Sequence, residues 1–311
     1  MPVHITPLTR REFVKYSLAA GAGVLTLQSA TAAEDRDAKV DPDSFALLSD
    51  THIPAKADFS ARGVNMSTNL KKTVVQLAAM KTRPAGAFIS GDCAFNTGQA
   101  GDYKNLAALL APLGRAKLPL HMVMGNHDHR QRLYAQFKAR QAKAATVKGK
   151  HVTVVEAARA NWVLLDSLYK TNDPAGVLGE AQLAWLAKAL DARKDKPAIC
   201  VAHHNPFWGD VGKRRVAFLK DTAALFEILA ARPHVKAYMY GHTHRWQLTQ
   251  RNGLHLINLP TMSYLFKKGE PTGWVHAQLR DGGITLRPHC HDPKHAVHGK
   301  EFKLTWRADK A

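Results

Sequence analysis

The sequence predicts an α/β domain with mostly parallel central strands, and three observations lead there. Short apolar runs alternate with stretches of helical periodicity. The unusual polar residues, chiefly Asp, Asn and His, stand directly after the apolar runs, at the strand ends where open α/β sheets gather their ligands. The composition is globular: 311 residues, 45% hydrophobic and 22% charged. That is enough chain for one large domain or two small ones with a sizeable core, and it excludes a disordered or collagen-like chain.

Taken in order, Phe45–Ser49 reads as a buried strand ending at Asp50. Met66–Met80 carries Leu70, Val74, Leu77 and Ala78 on one face and predicts a helix. Ala87–Ser90 is a strand running into Gly91 and Asp92, Tyr103–Leu113 a helix, and Leu120–Met124 a strand running into Gly125-Asn126-His127-Asp128. Trp162–Asp166 is a further strand. Glu180–Leu190 is a helix with Leu183, Leu186 and Leu190 in register. Ala198–Ala202 is a strand ending at His203-His204, Phe218–Ala231 a helix, and Val235–Tyr240 a strand ending at Gly241-His242-Thr243-His244. From Leu254 to Arg287 the chain reads as short strands and turns, and no internal repeat or low-complexity linker interrupts it.

Lys and Arg number 44 against 25 Asp and Glu, a formal charge of +19. The basic residues are spread along the chain without long blocks, so they serve solubility and favour an anionic partner. No apolar run reaches the ~18 residues of a membrane span, which excludes a multi-span membrane protein. Cys93, Cys200 and Cys290 form no C-x-x-C pair, so a disulfide framework is not expected. Cys93 and Cys200 read as small buried space-fillers. The later group His289, Cys290, His291, His295 and His298 has no metal-site spacing and reads as a solvated turn.

The first residues have the three-part layout of an export signal. Arg10, Arg11 and Lys15 precede an uncharged apolar stretch, Tyr16–Leu27, and small residues follow up to Ala33. Thr9-Arg10-Arg11-Glu12-Phe13-Val14-Lys15 resembles the twin-arginine signal, with Val14 in place of leucine. The resemblance implies a bacterial periplasmic or secreted protein, exported folded by the twin-arginine machinery and not left in the membrane. Residues 1–33 would be the signal, cut after Ala32 or Ala33, and residues 34–311 the domain. Loss of the signal's net +2 leaves a mature charge of +17.

The strand ends carry the chemistry. Asp50-x-His52, Gly91-Asp92, Gly125-Asn126-His127-Asp128, His204-x-Pro206 and Gly241-His242-x-His244 each offer carboxylate, amide or imidazole ligands. Residues two apart at a strand end face one side, so the Asp50/His52 and His242/His244 pairs can each reach one small volume. The glycines at 91, 125 and 241 allow sharp turns as the chain leaves the sheet. One such block means little; five, each behind a predicted strand, are hard to reach by chance.

Together the blocks resemble the calcineurin-like metallophosphoesterase family, whose pattern is D-x-H, G-D, G-N-H-D/E, a later H and G-H-x-H. The resemblance implies a four-layer α/β/β/α sandwich of two mixed sheets with two metal ions (Mn, Fe or Zn) at the sheet edge. It implies a first metal on Asp50, His52, Asp92 and His244. A second would lie on Asp92, Asn126, His204 and His242, with Asp92 bridging. His204 is chosen over His203 because it stands two residues before Pro206. His127 matches the family's catalytic histidine. His52, and Phe95 where purple acid phosphatases carry tyrosine, point to the cyclic-nucleotide phosphodiesterase and glycerophosphodiesterase branch, although His204-Asn205-Pro206 departs from that branch's His-His-Pro. Arg245, Arg214 and Arg215 are candidate substrate contacts.

The expected reaction is hydrolysis of a small phosphodiester by a hydroxide held between the metals. A phosphomonoesterase on the same scaffold is the alternative. A basic nucleic-acid or surface-binding module with a decayed site is disfavoured because the ligand set is complete. The sequence leaves the oligomeric state open.

Overall fold

The computed structural model describes residues 39–137, 147–210 and 216–308. The proposed signal and Arg214 and Arg215 lie outside the described residues. Two six-stranded mixed sheets carry the fold. The first runs β12-β11-β10-β1-β2-β3, from β1 (Lys39–Leu48), β2 (Thr82–Ile89), β3 (Leu120–Met122), β10 (Gly273–Arg280), β11 (Gly283–Cys290) and β12 (Phe302–Thr305). The second runs β4-β5-β6-β7-β9-β8, from β4 (Thr153–Glu156), β5 (Asn161–Leu164), β6 (Ala198–Val201), β7 (Val235–Tyr240), β8 (Gln247–Arg251) and β9 (Leu254–Asn258). In the first sheet β1, β2 and β3 are parallel; in the second, β5, β6, β7 and β9 are.

The period-2 alternation of these strands builds the layers. Phe45 and Leu47 of β1, Phe88 of β2, Ile199 and Val201 of β6 and Met239 of β7 meet between the sheets. Their neighbours Ala46, Leu48 and Ile89 face α1 (Met66–Ala78) and α2 (Ala100–Arg115) on one outer side. Cys200 and Tyr238 face α4 (Glu180–Asp191) and α5 (Thr222–Ala230) on the other, where Leu183, Leu186 and Leu190 are buried as the periodicity predicts. The result is the expected four-layer sandwich. Trp162 fills the space between the sheets, 4.7 Å from Phe88 and 4.9 Å from Phe45 between ring centroids.

Four elements were not expected from the sequence: α3 (Arg130–Phe137), β4, β8 and β12. In α3 only Leu133 is buried. The three strands lie at sheet edges, and β8, Gln-Leu-Thr-Gln-Arg, has no buried residue. An edge strand with wet faces needs no apolar run and leaves no signal in hydropathy. The fifth helix begins at Thr222 after Asp221, four residues later than its apolar pattern suggests. All three cysteines are free and buried: Cys93 and Cys200 as expected for space-fillers, whereas Cys290, with His289, lies in strand β11 and not in the solvated turn expected there, because these residues pair with β10. Among the described residues no helix is long and apolar enough to cross a membrane.

Candidate metal centre

The loops after β1, β2, β3, β6 and β7 converge on one edge of the sandwich, and their polar residues are almost fully buried there. Four overlapping groups of ligand atoms arise: Asp50, His52 and His244; His52, Asp92 and His127; Asp50, Asp92 and His203; and His203, His204 and His242. Asp92 stands in two of them. Its Oδ2 lies 3.5 Å from His52 Nε2 and 3.2 Å from His203 Nε2.

The backbone achieves this convergence differently from the strand alternation expected. Asp50, His52, Asp92, His242 and His244 all adopt left-handed φ, between 45° and 65°. Non-glycine residues take that conformation at a cost of about 1–3 kcal/mol each and tend to do so at functional sites. Gly91 is left-handed as expected (φ 93°), but Gly125 and Gly241 are needed for close approach instead: a Cβ at Gly125 would collide with Asp92, and one at Gly241 with Ser49 and Asp50.

Second hydrogen bonds orient the rings. His244 Nδ1 faces the Tyr264 carbonyl at 2.6 Å, so Nε2 is left to face Asp50 Oδ1 at 3.4 Å and His52 Nε2 at 3.1 Å. His203 Nδ1 meets the Ser90 carbonyl at 2.9 Å, which turns its Nε2 to Asp92, to Asn126 Oδ1 at 3.2 Å and to His242 Nδ1 at 3.2 Å. A carbonyl on one ring nitrogen fixes the tautomer and frees the other nitrogen as a ligand. The carboxylates are braced as well. Ser49 Oγ and the His242 amide donate to Asp50, and the His127 amide donates to Asp92 Oδ1 at 2.8 Å.

Both histidines of the fourth block reach the centre, in one group with His242. His203 meets Asp92 and Asn126, and His204 is the ring that the spacing to Pro206 selects. His204 packs alongside, its Nδ1 bonded to Ser167 Oγ at 2.7 Å and its buried Nε2 without a partner among the described residues. The Ser90 carbonyl, supplied from the end of β2 on the opposite sheet, fixes the orientation of His203.

Electrostatics prepare the cluster for a cation. Burial opposes charge on Asp50 and Asp92, yet His244 and His203 hold the first, and His203 and His127 the second, well below the usual carboxylate range. Burial pushes His52 down to about 3 and His242 to about 4, and drives His204 down as well, so these rings are neutral at pH 7. His203 is pushed up to about 9: burial works against its proton, but Asp92 and Asp50 more than offset it. Ionised carboxylates, the neutral imidazoles of His52, His204 and His242, an amide oxygen and the orphaned nitrogens His52 Nδ1 and His204 Nε2 make a donor set suited to Mn, Fe or Zn. The residues therefore fit two metal ions, in two candidate clusters that share Asp92.

His127 differs from the rest. Its side chain is 22% exposed whereas Asp92 is 2%, and its Nδ1 lies 2.6 Å from the Asn96 carbonyl, so Nε2 faces the centre 3.9 Å from Asp92. Asp128, which closes the third block but has no role assigned from the sequence, braces the site from beneath. It accepts from the amides of Cys93, Ala94 and Gly125 and from the Tyr103 hydroxyl, and burial beside Asp92 pushes it up to about 6. Its only sequence signal is its place after His127. Arg245 is exposed next to His244. Phe95, with no oxygen to offer, packs on Phe59 at 5.1 Å.

Fold and site together define a metal-dependent phosphoesterase. The model of the family described as calcineurin-like phosphoesterase matches residues 44–246, and the chain belongs to that family. It is 32% identical to a probable cyclic nucleotide phosphodiesterase of Rhodopseudomonas palustris over 78% of this chain and 90% of that protein. It is 29% identical to a 3',5'-cyclic adenosine monophosphate phosphodiesterase of Pseudomonas aeruginosa, over 78% and 84%. Among solved structures it is similar to a dimetal phosphatase from Danio rerio, with a TM-score of 0.64 and 15% identity over 86% of this chain and all of that one.

Proposed function

We propose that this protein is an exported phosphodiesterase with two metal ions. Asp50, His52, Asp92 and His244 would hold the first; Asp92, Asn126, His242 and the fourth block, His204 with His203 beside it, would hold the second. The observation that carries the reading is the buried Asp92 carboxylate lying between His52 and His203. Ions held there would polarise a phosphoryl oxygen and acidify water, the usual contribution of a two-metal site to phosphoryl transfer. The chain's own part is positional and protonic. The left-handed turns and carbonyl-locked rings fix the ligands before substrate arrives, which lowers the cost of reorganisation. His127, a partly exposed member of the cluster, donates a proton from Nε2 to the departing ester oxygen, while the Asn96 carbonyl keeps its Nδ1 occupied. The cyclic-nucleotide names of the relatives favour a diester substrate. Export rests on the Arg10-Arg11 pair and the uncharged stretch after it. A small phosphoester drawn from the cell envelope or its surroundings would suit a periplasmic enzyme with a mature charge of +17.

The test is a panel of esters on metal-loaded enzyme. We expect bis-p-nitrophenyl phosphate to be preferred to p-nitrophenyl phosphate in kcat/KM. A tenfold preference for the monoester, about 1.4 kcal/mol in the opposite sense, would replace this reading with a phosphomonoesterase. Substituting Lys for Arg10 and Arg11 together should hold precursor in the cytoplasm, and normal periplasmic arrival would refute the export route.

A further inference from the structure

Beside the His52/His244 side of the centre stands a small structure that the metal chemistry does not require. Ala61 and Val64 exchange both backbone hydrogen bonds, at 3.0 and 2.9 Å, around a two-residue turn. Its central residues, Arg62 and Gly63, are both left-handed, with φ 51° and 76°. Asparagine or glycine fills the first position of such a turn with less strain than arginine does. The strained arginine places its guanidinium over two rings, 5.6 Å from the centroid of Tyr264 and 5.3 Å from that of Phe266. Those rings abut the metal-binding cluster: Tyr264 lies 5.3 Å from His52 and 5.2 Å from His244, and Phe266 stacks on His244 at 4.1 Å and 18°.

Two further features make this a receptor instead of packing. Phe266 is 56% exposed, although it is a large apolar ring lying against a buried histidine. Among the described residues no carboxylate or carbonyl accepts a hydrogen bond from Arg62, so its planar array of N–H donors is available. A guanidinium held flat by aromatic rings keeps its edge free to bind phosphate oxygens in a paired fashion. An exposed ring beside it offers a stacking surface for another planar group.

We propose that Arg62 and Phe266 form a substrate subsite that selects phosphodiesters carrying a planar aromatic group, a nucleoside or an aryl ester. Phe266 stacks the planar group, and Arg62, pinned by Tyr264, donates to an anionic oxygen of the substrate. The inference rests on the phosphodiesterase reading above and adds the residues that decide between aromatic and aliphatic esters.

The experiment compares wild type, Phe266→Leu, Phe266→Trp and Arg62→Gly, all metal-loaded, on bis-p-nitrophenyl phosphate and on an aliphatic glycerophosphodiester. Calorimetry with adenosine monophosphate and glycerol 3-phosphate supplies a readout independent of turnover. Phe266→Leu should lower the aromatic-to-aliphatic ratio of kcat/KM, and the matching ratio of affinities, about tenfold, the effect of one lost stacking contact. Phe266→Trp should keep or raise both ratios. Arg62→Gly relieves the turn, so the fold is retained, and should raise KM for both diesters about tenfold with kcat held, as expected for a lost charged hydrogen bond. Unchanged ratios in Phe266→Leu, or an unchanged KM in Arg62→Gly, would overturn the subsite alone. A wild type that cleaves neither diester would overturn the functional reading and this inference with it.

Discussion

Histidines gather twice in this molecule. At the carboxyl edge of the sheets His52, His203, His242 and His244 surround Asp50 and Asp92; near the end of the chain His276 and His289 flank Trp274, with His291 and His298 close in sequence. The members of the second group are spent locally. His276 bonds Ser44 Oγ at 2.7 Å, His291 meets Thr73 Oγ at 3.3 Å, and His298 Nδ1 accepts from the Cys290 amide. His289 lies flat on Trp274, 4.3 Å away and 8° from parallel. None of these rings joins a metal-binding group among the described residues. The difference lies in carboxylates and backbone. The edge cluster has two buried acids and five left-handed residues that hold its donors toward one point; in the terminal group His276 and His289 stand on β10 and β11 and His291 and His298 in the turns after β11, so the rings are spread apart.

That contrast can be broken experimentally, and the largest effect should come from the fourth block. His203→Ala should lose one metal and nearly all activity, because its Nε2 meets Asp92, Asn126 and His242 together. His204→Ala should do less, since this ring touches Ser167 and the flank of His242. Atomic emission on both purified variants checks this, and equal or greater metal loss in His204→Ala would make His204 the principal ligand of the fourth block. His127→Ala is next. It should keep its metals and lose about 10²–10⁴ in kcat, the range of a general acid; a metal-free variant would show that His127 is a ligand. The smallest effect belongs to the terminal cluster. Burial, with His276 and His298 nearby, pushes His289 down to about 4. The folded state thus resists a proton that the unfolded chain accepts near 6.5, so this ring's contribution is full above pH 6.5 and fades as pH falls toward 4. His289→Gln should flatten the fall in urea midpoint between pH 7 and pH 5 and leave metal content alone.

Much of this was legible in the sequence because buried parallel strands must be apolar on both faces, so β1, β2, β6 and β7 announce themselves and the polar residues after them mark the edge. What was not legible depends on partners distant in the chain. The Ser90 carbonyl, 113 residues before His203, orients that ring toward Asp92. Edge strands such as β8 carry polar sequence because solvent covers them. The left-handed turns at Asp50 and His242 are paid for by the site as a whole, and residue preference alone would argue against them. Arg62 escaped notice for the same reason: it is a lone basic residue until the fold lays it over Tyr264 and Phe266.

The central claim is that one buried carboxylate serves both metal-binding clusters. Metal counted per chain in wild type and Asp92→Asn, after identical loading and gel filtration, tests it most directly. The account predicts two ions in the wild type and fewer than one in the variant, because both clusters lose the same charged ligand. A wild type that holds a single ion, or an Asp92→Asn chain that still holds two, would contradict it.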